Sequence, residues 1–505
     1  MKINQQKQKK KKSQALQDKP TGISYLPRKG KKTIFFHILV FELALICILT
    51  VAAGPEITAD IIEDSTLSTS KSEDEKNSEE IPVEDNVSSE NNTEQLPNGQ
   101  EDSSSVEQEE IPIATEIEDE HKNEMRAVWI SYIEFSNRLE ELGKKSFSKQ
   151  DFQDFIDEAF DNCVTWNMNT VVVHVRPYAD AMYPSEYFPW SAYISGTQGK
   201  DPGFDPLEYM VEAAHNRDLK FEAWLNPYRI AVNTTKASAL SKDNQARKWL
   251  NSSSRNVLAF NGNLYYNPAK KEVRELIVNG VREIVENYDV DGIHFDDYFY
   301  PSLGNKAKPS AKISKANDKN YFDYKEYVSY TKNNDDPLSL VKWRRNNVNQ
   351  LVKNVYSAIK DINSEVVFGI SPAGNISNLL SKDSYFVDIE TWLSSSGYID
   401  YICPQIYWTF DNDEYSFDIV TEEWLSYYEN EDIKFYIGIP VYKACAGKNS
   451  VWDWKQWNGK TTILKKQIKY CREMDEIDGF YFFSYQDFIR KAKKKEIKNL
   501  LSILN

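Results

Sequence analysis

The chain has 505 residues, 41% of them hydrophobic and 27% charged, which allows one large domain with extensions or several smaller ones. Its net charge is −16, and no basic patch or nucleic-acid module appears in the part that folds, so DNA and RNA are poor partners. Five scattered cysteines, Cys47, Cys163, Cys403, Cys445 and Cys471, show neither a disulfide framework nor metal-ligand spacing.

Residues 1–32 carry 11 Lys/Arg against one acidic residue, Asp18, and read as a basic cytoplasmic tail. Residues 33–53, TIFFHILVFELALICILTVAA, form an apolar run long enough to span a bilayer, with Glu42 and His37 as its polar interruptions. A long basic flank before such a run keeps the N-terminus inside and exports the remainder of the chain. The expected arrangement is a single-pass transmembrane helix or signal anchor, with residues 54–505 outside the membrane. The small residues Val51, Ala52 and Ala53 also suit a signal-peptidase site, and secretion after cleavage there is the alternative.

Residues 54–120 hold 22 Asp/Glu, two Lys and no Trp, Tyr or Phe, so they cannot bury enough surface to fold. They read as a disordered acidic linker, a spacer or a plain tether. Residues 121–505 then form the folded part, with a formal charge of only −5. Their richness in Tyr, Trp and Asn suits a surface that meets sugars.

From Met125 onward short apolar runs alternate with longer stretches of helical period, the mark of βα units around a parallel sheet. Eight runs read as strands: 126–131, 170–177, 220–227, 291–298, 366–373, 400–408, 435–442 and 479–487. Helices are predicted over 150–167, 206–218, 269–288, 338–362, 417–429 and 463–476. This order fits a (β/α)8 TIM barrel with enlarged βα loops, and a doubly wound open sheet is the second choice. No glycine-rich phosphate loop supports that second choice. The stretch between Pro301 and Pro337 is too long for an ordinary connection and reads as a lid, a substrate wall or an insertion.

Several strands close on polar or aromatic residues followed by a long loop: HVRPYADAMYP, WLNPYRI, FDDYFYP, ISPAGN, PQIYW and SYQD. In a barrel these ends converge on one mouth, where active sites sit. Strand alternation puts His174 and Arg176 on one face, and likewise Glu222, Trp224 and Asn226, His294 and Asp296, and Gln405 and Tyr407. Asp297 comes next on the other face unless the strand has ended.

Two neighbouring carboxylates in a partly desolvated pocket suit acid/base work at a glycosidic bond, one holding a proton while the other stays ionised. Asp296 is the preferred acid or nucleophile, with Asp297 or Glu222 in the complementary role. The structural alternatives are Asp297 capping its loop or pairing with Arg176 or Arg229, and Glu222 as a buried partner of an arginine. Asp180 either binds a sugar hydroxyl or fixes its loop. His174 and His294 invite a metal reading, which the lack of H-E-x-x-H or any dense His/Cys cluster weighs against; polar or structural histidines fit better, and neither metal nor cofactor is expected. Trp129, Tyr178, Trp190, Trp224, Tyr298, Tyr300, Tyr407, Trp408 and Tyr485 offer stacking surfaces or core packing.

The blocks MRAVWIS, NTVVVHVRPYADAMYPSEYFPWS, GFDPLEYMVEAAHNRDLKFEAWLNPYR, DGIHFDDYFYP, FGISPAGN, YIDYICPQIYW and YIGIPVY together resemble the glycosyl hydrolase-like family 10 of bacterial envelope proteins, over about residues 123–495. The resemblance implies an exported TIM-barrel glycoside hydrolase, some members acting on peptidoglycan glycan strands, including strands stripped of their peptides. Its strand-four motif falls on Asp296 and Asp297, and the polar residues of its other blocks on His174, Arg176, Asn226 and Gln405. The chain lacks a lipobox cysteine, and where the chitinase pattern has an acid Glu it carries Tyr298. The expected function is a membrane-anchored glycosidase of cell-wall polysaccharide. A polysaccharide-binding module without catalysis is the alternative, and metal-dependent hydrolysis or deacetylation the third.

Overall fold

The structure, a computed structural model, describes residues 121, 123–252, 254–303, 321–381 and 385–504. The expected transmembrane run and acidic linker lie outside the described residues. Among the described residues no helix is long and apolar enough to cross a membrane.

Eleven strands form: β1 (Met125–Ile130), β2 (Thr170–Arg176), β3 (Lys220–Leu225), β4 (Arg229–Ala231), β5 (Val257–Phe260), β6 (Asn263–Tyr266), β7 (Gly292–Phe295), β8 (Val367–Ile370), β9 (Tyr401–Ile402), β10 (Lys434–Ile439) and β11 (Gly479–Phe482). Eight of them, β1, β2, β3, β7, β8, β9, β10 and β11, close into a parallel barrel, which rules out the open doubly wound sheet. All seven residues of β2 are buried, as a strand covered on both faces requires. Outward residues such as Val171, Val173, Phe221 and Phe295 pack against the surrounding helices in one continuous core.

The six predicted helices are present with ends shifted by a few residues. Lys149–Thr165 starts on a capping box between Ser148 and Asp151 and turns Phe152, Phe155, Ile156, Ala159, Phe160 and Cys163 inward. Pro206–His215 starts on Asp205, whose carboxylate accepts from the amides of Leu207 and Glu208, with proline in the first turn. Among the elements not foreseen, two lie next to the barrel strand ends. The helix Tyr132–Glu141 comes directly after β1, capped by Ser131 and Glu134. The enlarged loop after β3 folds into an antiparallel sheet of order β4-β6-β5.

Following the register round the barrel from Trp129 through Val172, Glu222, Gly292 and Val367 returns the chain eight residues lower on β1, a shear of eight. With eight strands this stacks the inward side chains in layers of four from alternate strands. The uppermost closed layer holds His174, Asp296, Gln405 and Phe483. Beneath it lie Trp129, Trp224, Ser371 and Gly438, then Val172, His294, Cys403 and Tyr481, then Ala127, Glu222, Gly369 and Tyr436. The apolar members of these layers form an inner cluster separate from the outer core. Gly369 has to be glycine, because a Cβ there would lie 1.9 Å from the Tyr401 ring that crosses it.

Candidate active site

Asp296 stands just past the last residue of β7 and is 7% exposed, while Asp297 is half-buried. The Asp297 amide donates to Asp296 Oδ1 at 2.7 Å. Gln405 Nε2 donates to the same oxygen at 3.2 Å and to the Ser371 carbonyl at 2.9 Å, which fixes the amide between two strand ends. The two carboxyl groups also share a hydrogen bond. Burial raises both pKa values; Asp297 is lifted further, by burial first and then by the charge of Asp296, while its hydrogen bonds and Arg229 pull Asp296 back down. Burial and the closeness of the two carboxyls make the pair hold a proton more readily than an isolated carboxyl would.

The walls are aromatic. Arg229, at the start of β4, lies between Tyr178 and Tyr298, with its guanidinium 4.7 and 4.3 Å from the ring centres. Tyr178 donates to the Tyr132 hydroxyl at 3.3 Å, and the Tyr132 ring sits 5.5 Å from that of His174. Tyr407 stacks on Phe483 with centroids 6.3 Å apart.

His174 stacks on Trp224 at 3.3 Å. It is 2% exposed, and neither ring nitrogen meets a hydrogen-bond partner in good geometry among the described residues, although Asn226 is beside it. Trp224 Nε1 is likewise unpartnered. Burial, then the charge of Arg229, lowers the His174 pKa well below the usual range, so the ring is neutral. Asn226 donates to the Pro177 carbonyl at 2.9 Å and leaves Oδ1 without a partner among the described residues.

Five expected site residues are elsewhere. Arg176 does not share the face of His174. The pairing of β2 with β3 slips between the two residues, so that Arg176 stands opposite Leu225 and points outward. Its guanidinium lies 4.4 Å from the Phe188 ring, in the layer between barrel and helices. Asp180 is buried under the mouth loops, accepts from Gln198 Nε2 at 2.8 Å, and has its pKa pushed up to about 6 by burial.

Glu222 lies three layers below Asp296. It is level with Gly292, four residues or about 13 Å before Asp296 along the strand direction. It accepts from Tyr401 at 2.5 Å and from Tyr481 at 3.0 Å, not from an arginine. His294, two residues below Asp296, is fully buried. Trp129 Nε1 donates to its Nε2 at 3.2 Å, which leaves the ring proton on Nδ1, 2.7 Å from the Tyr401 hydroxyl. Burial lowers the His294 pKa to about 3. Both groups are buried beneath the layer that holds Trp129 and Trp224, and His294 Nε2 also meets Ser371 Oγ at 2.9 Å.

Tyr485 belongs to the helix Tyr485–Ile489, because β11 has ended at Phe482. Asn162 donates to its hydroxyl at 3.0 Å, and its ring packs on Trp166 outside the barrel. The structure adds Tyr132, Arg229 and Ser371 to the mouth. Arg229 and Ser371 lay within the WLNPYRI and ISPAGN strand ends, while Tyr132 followed the first strand with no local pattern to single it out. Among the described residues no cluster of three or more His, Cys, Asp or Glu side chains is arranged to hold a metal ion.

The description glycosyl hydrolase-like 10 belongs to a family model that matches residues 124–457. Glycosyl hydrolase YngK of Bacillus subtilis (strain 168) is 37% identical over 382 residues, covering 72% of this chain and 68% of that one. Glycosyl hydrolase DigH of Escherichia coli (strain K12) is 32% identical over 372 residues, covering 69% of this chain and 79% of that one. Among solved structures, the catalytic domain of a β-amylase from Paenibacillus polymyxa aligns with a TM-score of 0.45 and 10% identity over 76% of this chain and 99% of that one. The family match runs from β1 through β10 of the barrel, and the chain belongs to the glycosyl hydrolase-like 10 family.

Proposed function

We propose that this chain is an extracytoplasmic glycoside hydrolase, tethered by its 33–53 segment, that cleaves peptidoglycan glycan strands of the cell wall. The observation that carries the reading is the pairing of Asp296 and Asp297 at the barrel mouth, where burial raises the proton affinity of both carboxyls and Gln405 and the Asp297 amide hold Asp296 in place. Asp297 gives its proton to the leaving oxygen, and Asp296 steadies the positive charge that develops as the bond opens. Tyr298, Tyr407 and Phe483 offer ring faces, and His174, Asn226 and Trp224 offer unspent polar atoms, to a sugar entering the mouth. Family membership supports the reaction class. The basic flank and apolar run at the N-terminus support the location.

The test is mass spectrometry of products after the chain, and its Asp296→Asn variant, meet peptide-free and peptide-bearing glycan strands. New reducing ends with the parent and none with the variant are expected. Intact strands with both proteins, despite saturable binding, would replace this reading with that of a binding module.

A further inference from the structure

A sugar bond flanked by two independent carboxylates needs them on opposite sides, about 5 Å apart for retention through a covalent intermediate and about 6.5 to 9.5 Å apart for inversion. The pair here does not flank. Asp296 and Asp297 are consecutive, hydrogen-bonded to each other, and stand together on one side of whatever enters. The other deeply buried acids among the described residues are engaged elsewhere. Glu222 is held by Tyr401 and Tyr481, Asp323 by Arg344, Asp453 by Lys443, Asp180 by Gln198, Glu134 by Ser131, Glu283 by Ser185, Asp487 by Lys493 and Glu496 by the Leu464 amide.

The mouth also holds groups built for a ligand. His174, level with Asp296, and Trp224, one layer below, are 2% and 4% exposed, and their ring nitrogens have no hydrogen-bond partner among the described residues. The layer beneath is aromatic, with Trp129 and Trp224 6.4 Å apart, and Phe483, level with Asp296, is 6.1 Å from Trp129. A hydrogen-bond-accepting carboxylate above a dry aromatic floor fits a secondary amide carrying a methyl group.

We propose that the substrate supplies its own nucleophile, and that this site takes β-linked 2-acetamido-2-deoxy sugars whose acetamido oxygen attacks the anomeric carbon. The proposal rests on the glycosidase reading above. Asp297 transfers its proton to the glycosidic oxygen, the bond from C1 to that oxygen breaks, and the leaving sugar departs as an alcohol. The acetamido oxygen forms the new bond to C1, giving an oxazolinium ion whose N–H is held by ionised Asp296. Water then attacks C1 and yields its proton to Asp297. The oxazolinium ring opens, the acetamido group is restored, and the product keeps its anomeric configuration.

The experiment uses the full chain in detergent and three preparations of one peptide-free glycan strand, de-N-acetylated and then left bare, re-acetylated or trifluoroacetylated. Trifluoroacetyl has nearly the shape of acetyl but is a poor nucleophile. With it, kcat is expected to fall at least about tenfold while KM changes less than about threefold. Fresh product from the re-acetylated strand is expected to be the β anomer by NMR. Equal kcat on the two acylated strands, rapid cleavage of the bare strand, or an inverted product overturns acetamido participation while the glycosidase reading stands. No cleavage of the re-acetylated strand overturns both.

Discussion

Replacing Glu222 by glutamine tests the depth assigned to it. Burial holds its carboxyl up at about 7, against an ordinary value of 4.5, even with hydrogen bonds from Tyr401 and Tyr481 pulling the other way. Between those values the folded protein binds a proton that the unfolded chain has released. The stability this group contributes is therefore complete below about pH 4.5 and is lost as pH rises through about 7. A rise of that size corresponds to roughly 3 kcal/mol. Asp180, raised to about 6, and Glu496, raised to about 7, act in the same direction, so the difference between parent and variant is the quantity to follow. Urea unfolding of both proteins across about pH 4.5 to 8 should show the parent losing roughly 3 kcal/mol relative to Glu222→Gln. A difference that stays flat to within about 0.5 kcal/mol would refute the sealed position of Glu222, since a carboxyl open to the mouth would be hydrated and near its ordinary value.

The mouth gives two further outcomes. Arg229 lowers the pKa of both Asp296 and Asp297, so Arg229→Leu should move both limbs of the pH profile of kcat/KM to higher pH, measured as reducing ends released from glycan strands. Arg176→Met should leave cleavage within about threefold of the parent, whereas His174→Ala should lower it by at least about tenfold, because the slip in β2 turns only the first of these away from the mouth.

The eight strands were legible because each barrel strand is a nearly unbroken apolar run ending on polar or aromatic residues. Facing was legible wherever strict alternation held, which brought His174, Asp296 and Gln405 to one layer. It failed at Arg176 because a single extra residue in β2 reverses parity, and nothing in TVVVHVRP marks where that residue falls. Depth was not legible at all. Alternation tells which way Glu222 and His294 point, but their height depends on the registers of all eight strands taken together. The sheet β4-β6-β5 left no signal because its strands have only three or four residues, too few for a period to emerge. Tyr485 was misplaced by taking β11 five residues too far, to 487.

A shear of eight in a barrel of eight strands also sets a compass around the axis. The four side chains of the mouth layer come from β2, β7, β9 and β11, every second stave of the barrel, and so stand about a quarter-turn apart. His174 faces Gln405 across the opening, and Asp296 faces Phe483. A flat ring descending the axis meets a carboxylate at one point of the compass and an aromatic plane at the opposite point. Only one rotation about that axis lets it lean on the aromatic side while presenting its reactive edge to the acid. In the proposed reaction, the heading of an incoming ring would be set by the barrel strands rather than by the loops around them.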